Sequence, residues 1–196
     1  MVTTQLVPVD IADLYEVHEW RNAAGVLATS NPVEWNEIQS ALRSFKLHRS
    51  EVLTPGGSRS SIVDRLEAPL KACGWIAKQF STAIEIDGVS TPAPTHKVDC
   101  FKNRVALEVE WNNKDPFFDR DLNNFRLLFE LRAIDAGVII TRCTELQKIF
   151  NQLGRGPSFG NSTTHMAKLC PRLDGGSGGG CPVVVFGISG ATYVED

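Results

Sequence analysis

The segment VDCFKNRVALEVEW, residues 98–111, decides the fold of this chain and carries most of its chemical information. Over most of its length apolar and polar positions alternate, which is the pattern of a half-buried β-strand. Successive side chains of a strand point to opposite faces. Leu107 and Val109 therefore share one face, and Glu108 and Glu110 lie side by side on the other.

Asp99 lies nine residues before Glu108, at or near the start of the preceding strand or turn. A hairpin or sharp bend between them would bring Asp99, Glu108 and Glu110 together. Clustered carboxylates repel one another and are costly to bury unless a cation is present, and Mg²⁺ binds one or two carboxylates together with water and substrate phosphate. The residues therefore predict a cation-binding strand pair. They leave open an ordinary alternative, in which the glutamates line the exposed face of an edge strand and Asp99 caps a turn.

The hydrophobic pattern on either side of this segment changes its period near residue 82. Before that point apolar residues recur at helical spacing, and after it short strands alternate with amphipathic helices. The predicted helices cover 10–24, 33–46, 60–74, 119–134, 144–153 and 163–170, the predicted strands cover 83–86, 98–111, 137–141 and 182–188, and the predicted loops cover 90–95 and 154–165. This order indicates an α/β domain with a mixed central β-sheet flanked by helices. We expect a single domain over residues 1–196, with a mainly helical part at 1–80 and the core at 81–190.

Local signals add detail to this prediction. The stretch 55–58, Pro-Gly-Gly-Ser, is a helix breaker, and Pro69 predicts a kink or an early stop in the third helix. Ala83–Ile86 alternates like a half-buried strand. Thr144 is expected to cap the helix that follows it. The glycine-rich run 174–180 predicts a flexible turn and lacks the Gly-Lys-Ser/Thr ending of a phosphate-binding loop.

Composition excludes several classes of protein. Hydrophobic residues make up 42% of the chain and charged residues 22%, as in soluble globular proteins. No apolar run approaches the roughly 20 residues of a membrane span, and the first residues lack the layout of a secretory signal. Five cysteines form an odd set without a CxxC pair, so neither a disulfide framework nor a zinc site is indicated. We expect a cytoplasmic protein with reduced thiols.

Charge is unevenly distributed along a chain whose net charge is -3. Residues 1–40 hold six acids and one base, whereas residues 41–80 hold seven bases and three acids. A locally basic stretch can neutralise phosphates on an acidic protein. A solvated helix face explains the same charges equally well, so this feature decides nothing alone.

The segment 98–111 resembles the active-site strand pair of the PD-(D/E)XK nucleases, and more narrowly that of the BglII/BstYI family of restriction endonucleases. The resemblance continues through Asp121-Leu122, the strand at 137–140, Glu145-Leu146 and the closing strand at 182–188, and so covers about residues 60–188. It implies a restriction-endonuclease-like core and a type II site-specific deoxyribonuclease. Residues 81–190 would then contain the catalytic core and the recognition loops.

The resemblance also implies roles for the acids. Asp99 and Glu108 would bind the divalent metal, and the backbone carbonyl of Val109 would complete the ligand set. The third catalytic position is lysine in most of the superfamily, but here it is Glu110, as in the related BamHI enzyme. Glu110 would act as general base, position the attacking water or ligate a second metal. The expected cofactor is Mg²⁺, with Mn²⁺ able to substitute. His96, near Asp99 in sequence, is a further candidate for contact with the scissile phosphate.

Two segments would enter the major groove of DNA by the same resemblance: the one after the catalytic strand and the loop before the last helix. Their side chains are of the types that read base edges. The candidates are Asn112, Asn113, Lys114, Arg155, Ser158, Asn161, Ser162 and Thr163. Arg59 and Ser60, at a helix start, could contact phosphate, and ordinary helix capping accounts for them equally well.

Together these observations predict a homodimeric, Mg²⁺-dependent endonuclease that cuts both strands of a short palindromic DNA site, since a two-fold dimer matches a palindrome. The resemblance suggests a GATC-like core in that site and a cognate DNA methyltransferase. The helix at 119–134 and parts of the N-terminal helices are candidates for the dimer face. Two alternatives remain: a structure-selective repair or junction-resolving nuclease, and a non-catalytic DNA-binding or small-ligand module on the same fold.

Overall fold

The computed structural model describes residues 6–54, 60–93 and 95–196. Within these ranges the chain forms a six-stranded mixed sheet and two small two-stranded sheets. The helices are α1 (Val9–Ala12), α2 (Ala23–Ser30), α3 (Pro32–Ser44), α4 (Arg49–Leu53), α5 (Ser61–Ala72), α6 (Phe117–Glu130), α7 (Leu146–Gln152) and α8 (Met166–Asp174). The strands are β1 (Tyr15–Trp20), β2 (Leu47–His48), β3 (Ile76–Lys78), β4 (Ala83–Ile86), β5 (Val89–Pro92), β6 (Val98–Lys102), β7 (Val105–Val109), β8 (Ala136–Arg142), β9 (Val183–Ile188) and β10 (Tyr193–Val194). The large sheet has the strand order β1-β9-β8-β7-β6-β3, and the two small sheets pair β10 with β2 and β4 with β5.

The centre of the large sheet is formed by β7, β8 and β9, which run parallel. Every residue of these three strands is buried, as expected when helices cover both faces of a parallel sheet. The outer strands β1, β6 and β3 are antiparallel to their neighbours. The predicted mixed α/β fold is therefore confirmed, and its architecture is compatible with a restriction-endonuclease-like fold.

A glycine on β8 sets the position of α6. A Cβ on Gly137 would lie 2.4 Å from the ring of Phe125, so only glycine leaves room for this contact. Phe125 is fully buried, and Asp121 lies one helical turn before it on the same face of α6. The Gly137–Phe125 contact therefore brings Asp121 down onto the sheet.

The predicted helix at 10–24 is wrong. The chain there forms α1, then the edge strand β1, then α2. β1 pairs antiparallel with β9, in the register Tyr15↔Ile188 to Trp20↔Val183. Arg21 and Asn22 then take left-handed backbone angles, with φ of 55° and 54°, which end any continuous helix. The structure of this segment is determined by its pairing with β9, a strand near the other end of the chain. The local sequence pattern carries no signal of that pairing.

The strand predicted at 83–86 exists, but the prediction that it is half-buried was wrong. β4 pairs with β5 through the expected turn at Asp87 and Gly88, and all residues of both strands are exposed. β5 also occupies part of the predicted loop at 90–95. The alternation reflects a two-stranded hairpin beside the main sheet, with Ile84 and Ile86 in solvent.

The predicted capping role of Thr144 was also wrong. α7 begins at Leu146 and no side chain caps it. The Thr144 hydroxyl instead accepts a hydrogen bond from the backbone N–H of Ala167 at 3.1 Å and bonds to Nδ1 of His165 at 3.1 Å. Thr144 therefore caps α8, which follows much later in the chain.

Other local predictions had mixed outcomes. α5 continues through Pro69 to Ala72, so the early stop does not occur. The predicted loop at 154–165 contains a 3-10 turn over Gly156–Phe159. The run 174–180 forms turns, in which the Gly179 carbonyl accepts hydrogen bonds from the side chains of Trp20 and Arg21. The predicted breaker at 55–58 lies outside the described residues. All five cysteines are free, and no helix among the described residues is long and apolar enough to cross a membrane.

Candidate active site

β6 and β7 form the hairpin that brings the predicted acids together. Their register pairs Cys100 with Leu107, so Asp99 and Glu108 come opposite each other at the next step. Asn103 and Arg104 make the turn with φ of 41° and 70°, as a two-residue hairpin turn requires. The sharp bend that the sequence left open is therefore a hairpin.

The carboxylates of Asp99 and Glu108 each accept a hydrogen bond from the backbone of the opposite strand. The backbone N–H of Asp99 donates to Oε2 of Glu108 at 3.1 Å, and the N–H of Val109 donates to Oδ2 of Asp99 at 3.2 Å. The N–H and C=O of one strand residue point to the same side, so the Val109 carbonyl also points toward Asp99. Two carboxylates and one carbonyl converge at the end of this hairpin.

Glu108 is 1% exposed, and its Oε1 has no hydrogen-bond partner among the described residues. Burial raises the pKa of Glu108 well above its usual range, and the negative charges of Asp121 and Asp99 act in the same direction. An isolated buried carboxylate is costly. A cation beside Oε1 would remove that cost and return the carboxylate to its ionised form.

Glu110 is equally buried, but both of its oxygens have protein partners. Oε2 accepts a hydrogen bond from Nδ2 of Asn113 at 2.7 Å, and Oε1 accepts one from Nη2 of Arg120 at 3.1 Å. Burial raises the pKa of Glu110 to about 9, with Asp121 acting in the same direction. Glu110 therefore differs from Glu108 in having its position fixed by neighbouring side chains.

Asp121 on α6 is a fourth acid, to which the sequence analysis gave no role. It is fully buried, and its Oδ1 accepts two hydrogen bonds from Arg120, at 2.9 and 2.8 Å. Burial raises the pKa of Asp121, whereas hydrogen bonds from Glu110 and Arg120 lower it. The sequence does contain a signal, since Asp121 lies one turn before Phe125 on the apolar face of the helix predicted at 119–134. An acid in such a stripe needs a partner.

Arg120 connects the two buried acids of this network. Its Nη2 lies 3.1 Å from Oε1 of Glu110 and 2.8 Å from Oδ1 of Asp121, and its guanidinium lies over the ring of Phe117 at 4.3 Å. His96 is close by: burial and the charge of Arg120 lower its pKa, and the charges of Asp121 and Asp99 oppose that shift. His96 is therefore near the acids, as its place in the sequence suggested.

Glu67 on α5 is a second acid that the sequence analysis missed. It is 1% exposed, and its Oε2 lies 2.5 Å from Nζ of Lys71. Burial raises the pKa of the Cys100 thiol, and the charges of Glu67, Asp99 and Glu108 act in the same direction. Glu67 is therefore a further acid beside the β6–β7 hairpin.

The donor set fits a hard divalent cation with an incomplete protein shell. In the described ranges, no group of three or more His, Cys, Asp or Glu side chains is arranged to hold a metal. Asp99 and Glu108 could supply two carboxylates and Val109 a carbonyl, and water and substrate phosphate commonly complete such a shell around Mg²⁺. The unpartnered Oε1 of Glu108 is the atom that such an ion would satisfy.

A protein-family model described as restriction endonuclease BglII/BglIII matches residues 15–188. The chain belongs to the BglII/BglIII family of restriction endonucleases. It is accordingly a type II site-specific deoxyribonuclease that acts on double-stranded DNA, and its family generally uses divalent metal ions. No curated protein matches the chain. The expected family is therefore confirmed, and the match includes β1, the catalytic hairpin, α6 and β9.

In this BglII-family endonuclease the two predicted recognition segments lie side by side. Lys114 forms an antiparallel bridge with Thr163, and Nδ2 of Asn112 donates to the Ser158 carbonyl at 3.0 Å. The backbone N–H of Asp115 donates to the carbonyl of Ser162 at 3.1 Å. Segments that are far apart in sequence thus form one surface next to the end of β7.

Thr164 joins this surface to the catalytic strand of the endonuclease. It is fully buried, and its hydroxyl donates to the Glu110 carbonyl at 3.2 Å and accepts from the backbone N–H of Asn113 at 3.2 Å. Its own N–H donates to the Asn113 carbonyl at 2.8 Å. The surface formed by the two predicted recognition segments is therefore hydrogen-bonded to the backbone of Glu110.

The remaining candidate DNA contacts have mixed surroundings. Nη2 of Arg155 lies 3.4 Å from the Thr54 carbonyl, and the Thr163 hydroxyl donates to the Gly160 carbonyl at 2.8 Å. Ser60 accepts a hydrogen bond from the N–H of Ile62 and caps α5, which is the capping role considered above. Arg59 lies outside the described residues.

The basic stretch at 41–80 is largely paired within the protein. Four of its cations lie within 4 Å of a carboxylate, which favours the solvated-face interpretation for them. The pairs are Arg43 with Asp10, Arg49 with Glu195, Arg65 with Glu51, and Lys71 with Glu67.

Proposed function

We propose that this endonuclease uses Mg²⁺, held by Asp99, Glu108 and the Val109 carbonyl, to hydrolyse both strands of a short palindromic DNA site. The observation that carries the proposal is the buried Oε1 of Glu108, which has no donor among the described residues and belongs to a carboxylate directly opposite Asp99. A buried carboxylate oxygen without a donor is costly in a protein, unless a cation completes its environment.

The metal would supply Lewis-acid stabilisation of the charge that develops on the phosphate and lower the pKa of a bound water. Asp99 and Glu108 hold their oxygens in place because each accepts a backbone N–H of the opposite strand. Neither side chain has to reorganise when substrate arrives, which is the advantage of a preformed site.

We assign water positioning to Glu110. Its two oxygens already accept hydrogen bonds from Asn113 and Arg120, so its orientation is fixed without a metal. With a pKa raised to about 9, Glu110 is protonated at neutral pH before a cation binds. Binding of a cation nearby would favour its ionised form, and Glu110 could then take a proton from the attacking water. Asp121 acts through Arg120 and is a positioning residue.

The proposed DNA contacts lie on the surface formed by the two recognition segments. Asn, Ser, Thr, Lys and Arg side chains can read base edges or contact phosphates. The proposed residues are Asn112, Asn113, Lys114, Arg155, Ser158, Asn161, Ser162 and Thr163, with Arg59 and Ser60 as phosphate contacts. A GATC-like core is the proposed target, and a cognate methyltransferase that protects the host site is its expected partner.

A homodimer would match a palindromic site, because each half-site then meets one subunit. Phe117, Leu127 and Leu131 of the α6 region are 38%, 39% and 54% exposed. Leu127 and Leu131 are four residues apart and share a helix face. This exposed apolar strip supports α6 as the dimer face of a chain that acts as one nuclease domain.

The decisive experiment is digestion of a plasmid of known sequence with Mg²⁺, with Mn²⁺ and with EDTA, followed by sequencing of the ends. We expect discrete fragments with both metals and none with EDTA. The ends should define one palindromic site with cuts at equivalent positions on the two strands. Cleavage that persists in EDTA would refute the metal assignment. Cutting confined to branched DNA, tested in a parallel reaction, would refute sequence-specific restriction.

A further inference from the structure

A small cavity lies at the carboxyl end of β8, between α7 and the start of α8. Its volume is about 120 Å³, room for roughly four water molecules at about 30 Å³ each. The lining residues are Arg142, Thr144, Gln147, Gly160, Asn161 and His165. In α/β sheets, ligands bind outside the carboxyl ends of the parallel strands, which is where this cavity lies.

Arg142 is the reason to expect a ligand. Its residue is 1% exposed, its guanidinium lies 5.6 Å from the centre of the Phe150 ring, and none of the ion pairs found among the described residues includes it. Nη2 donates to the Phe159 carbonyl and to the Thr163 hydroxyl, each at 3.0 Å, but Nε has no acceptor. Burial lowers the pKa of Arg142 to about 10, so the side chain is still charged at neutral pH. A buried cation without an anion is costly.

The other walls of the cavity favour an anion. Thr144 and His165 lie at the N-terminus of α8, a nine-residue helix whose dipole attracts negative charge there. Gln147 and Asn161 carry amides, and no wall residue is acidic. Burial lowers the pKa of His165, the charges of Arg142 and Lys168 act in the same direction, and the charge of Asp115 opposes them.

We propose that this cavity, the Arg142 pocket, binds a phosphate group of the DNA backbone. The inference rests on the proposed function, because it requires the recognition surface to meet DNA. The Thr163 hydroxyl accepts from Arg142, and the next residue, Thr164, bonds to the Glu110 carbonyl. A phosphate in the pocket would therefore fix the duplex relative to the catalytic strand. Arg is well suited to this because its planar guanidinium donates to phosphate oxygens in pairs.

Replacement of Thr144 provides a matched test. Thr144→Asp would place a carboxylate beside Arg142 and could still cap α8, whereas Thr144→Asn also caps but stays neutral. The first readout is the melting temperature in inorganic phosphate, compared with chloride at equal ionic strength. We expect phosphate to raise the Tm of the wild type and Thr144→Asn by roughly 3–5 °C per tenfold increase above its Kd. Thr144→Asp should lose this response, and an equal response in all three proteins would overturn the pocket.

The second readout separates DNA phosphate from free phosphate. Binding of a duplex fragment is measured over a range of salt concentrations, because the slope of log K against log [salt] changes by about 0.9 for each phosphate neutralised. We expect the slope for Thr144→Asp to be shallower than that for Thr144→Asn by about this amount. A phosphate-induced Tm rise together with equal slopes would assign the pocket to free phosphate and overturn the DNA contact.

Neither readout requires cleavage. Plasmid cleavage by Glu108→Ala, which lacks one proposed metal ligand, is measured in parallel. If Glu108→Ala still cuts DNA while the Thr144 variants differ as expected, the catalytic assignment fails and the Arg142 pocket stands. If Glu108→Ala is inactive and the Thr144 variants behave alike, the pocket fails and the catalytic assignment stands.

Discussion

Asp99 and Glu108 face each other across the β6–β7 hairpin, and each carboxylate is tied to the backbone of the opposite strand, at 3.1 and 3.2 Å. Asp99 is half-buried and Glu108 is 1% exposed. Burial raises the pKa of Glu108, and the negative charges of Asp121 and Asp99 act in the same direction. Such an arrangement is unfavourable for folding alone. It suits a protein whose family uses divalent metal ions.

Glu108→Gln should abolish cleavage and spare folding. The amide has nearly the same shape, but it cannot neutralise a metal ion, so we expect the rate to fall by at least about 10²-fold. DNA binding and Tm in the absence of metal should be retained or increased, because a buried charge is removed. The measurement is plasmid cleavage together with a thermal melt. Glu85→Gln, on the exposed β4, is the matched control, and wild-type cleavage by Glu108→Gln would contradict the assignment.

Stability without metal should depend on the protonation of Glu110. The pKa of Glu110 is raised from 4.5 to about 9, so its contribution to stability is fully present below pH 4.5 and is lost as pH rises through 9. Between pH 7 and 8, the free energy of unfolding should fall by about 1.4 kcal/mol per pH unit for each proton that the folded state retains. The free energy of unfolding is measured by urea titration at pH 7 and at pH 8, and for Glu110→Gln it should fall less between these two pH values than for the wild type. An equal fall in the two proteins would contradict the raised pKa.

Arg120→Gln tests whether the guanidinium holds the acid network together. Loss of its hydrogen bonds to Glu110 and Asp121 should cost about 2 kcal/mol at pH 8, or roughly 4–8 °C in Tm for a chain of this size. The cost should become larger above pH 9, where Glu110 ionises and its carboxylate lies beside the Arg120 guanidinium. Arg126→Gln on the same helix bonds only to Asn123 among the described residues and serves as the control. An equal loss in both variants would mean that Arg120 has no special role.

Leu127→Asp should weaken the proposed dimer. Leu127 is exposed on α6 beside Leu131, so a charge there would disrupt an apolar contact between subunits without changing the core. Analytical ultracentrifugation should detect a shift toward monomer, and two-strand cleavage should fall in parallel. Ile84→Asp on the exposed hairpin should change neither. A wild-type sedimentation profile for Leu127→Asp would place the interface elsewhere.

Thr164→Val should reduce cleavage more than Thr164→Ser. Valine removes the hydroxyl that bonds to Glu110 and Asn113, which leaves a buried N–H without its acceptor at a cost of about 1–3 kcal/mol. Serine keeps the hydroxyl and should restore most of the rate. Rates and KM are compared with Tm for both variants. If Thr164→Val keeps the wild-type rate while Thr164→Ser loses activity, the methyl group matters and the hydrogen bonds do not.

The catalytic hairpin could be predicted because its information is local. Asp99 and Glu108 are only nine residues apart, the alternation of the strand places Glu110 beside Glu108, and two short strands have few ways to pair. Roles from the resemblance could then be assigned to these positions. The structure agrees with the prediction that Asp99 and Glu108 lie close together.

The parts that could not be predicted depend on contacts between distant segments. β1 was taken for a helix because its pairing with β9 leaves no mark on its own sequence. Asp121 reaches the acids through the packing of Phe125 on Gly137, and Thr144 caps a helix that begins more than twenty residues later. In each case the partner, and not the local pattern, determines what the residue does.

Thr163 and Thr164 are neighbours in the chain, yet one bonds to Arg142 and the other to the carbonyl of Glu110. Two adjacent residues therefore connect the surface proposed to read DNA with the strand proposed to cut it. In evolutionary terms, substitutions that adapt this enzyme to a new target sequence will also shift its cleavage centre. New specificities in such a scaffold should then arise together with compensating changes along β7, and a directed-evolution experiment would have to select for both at once.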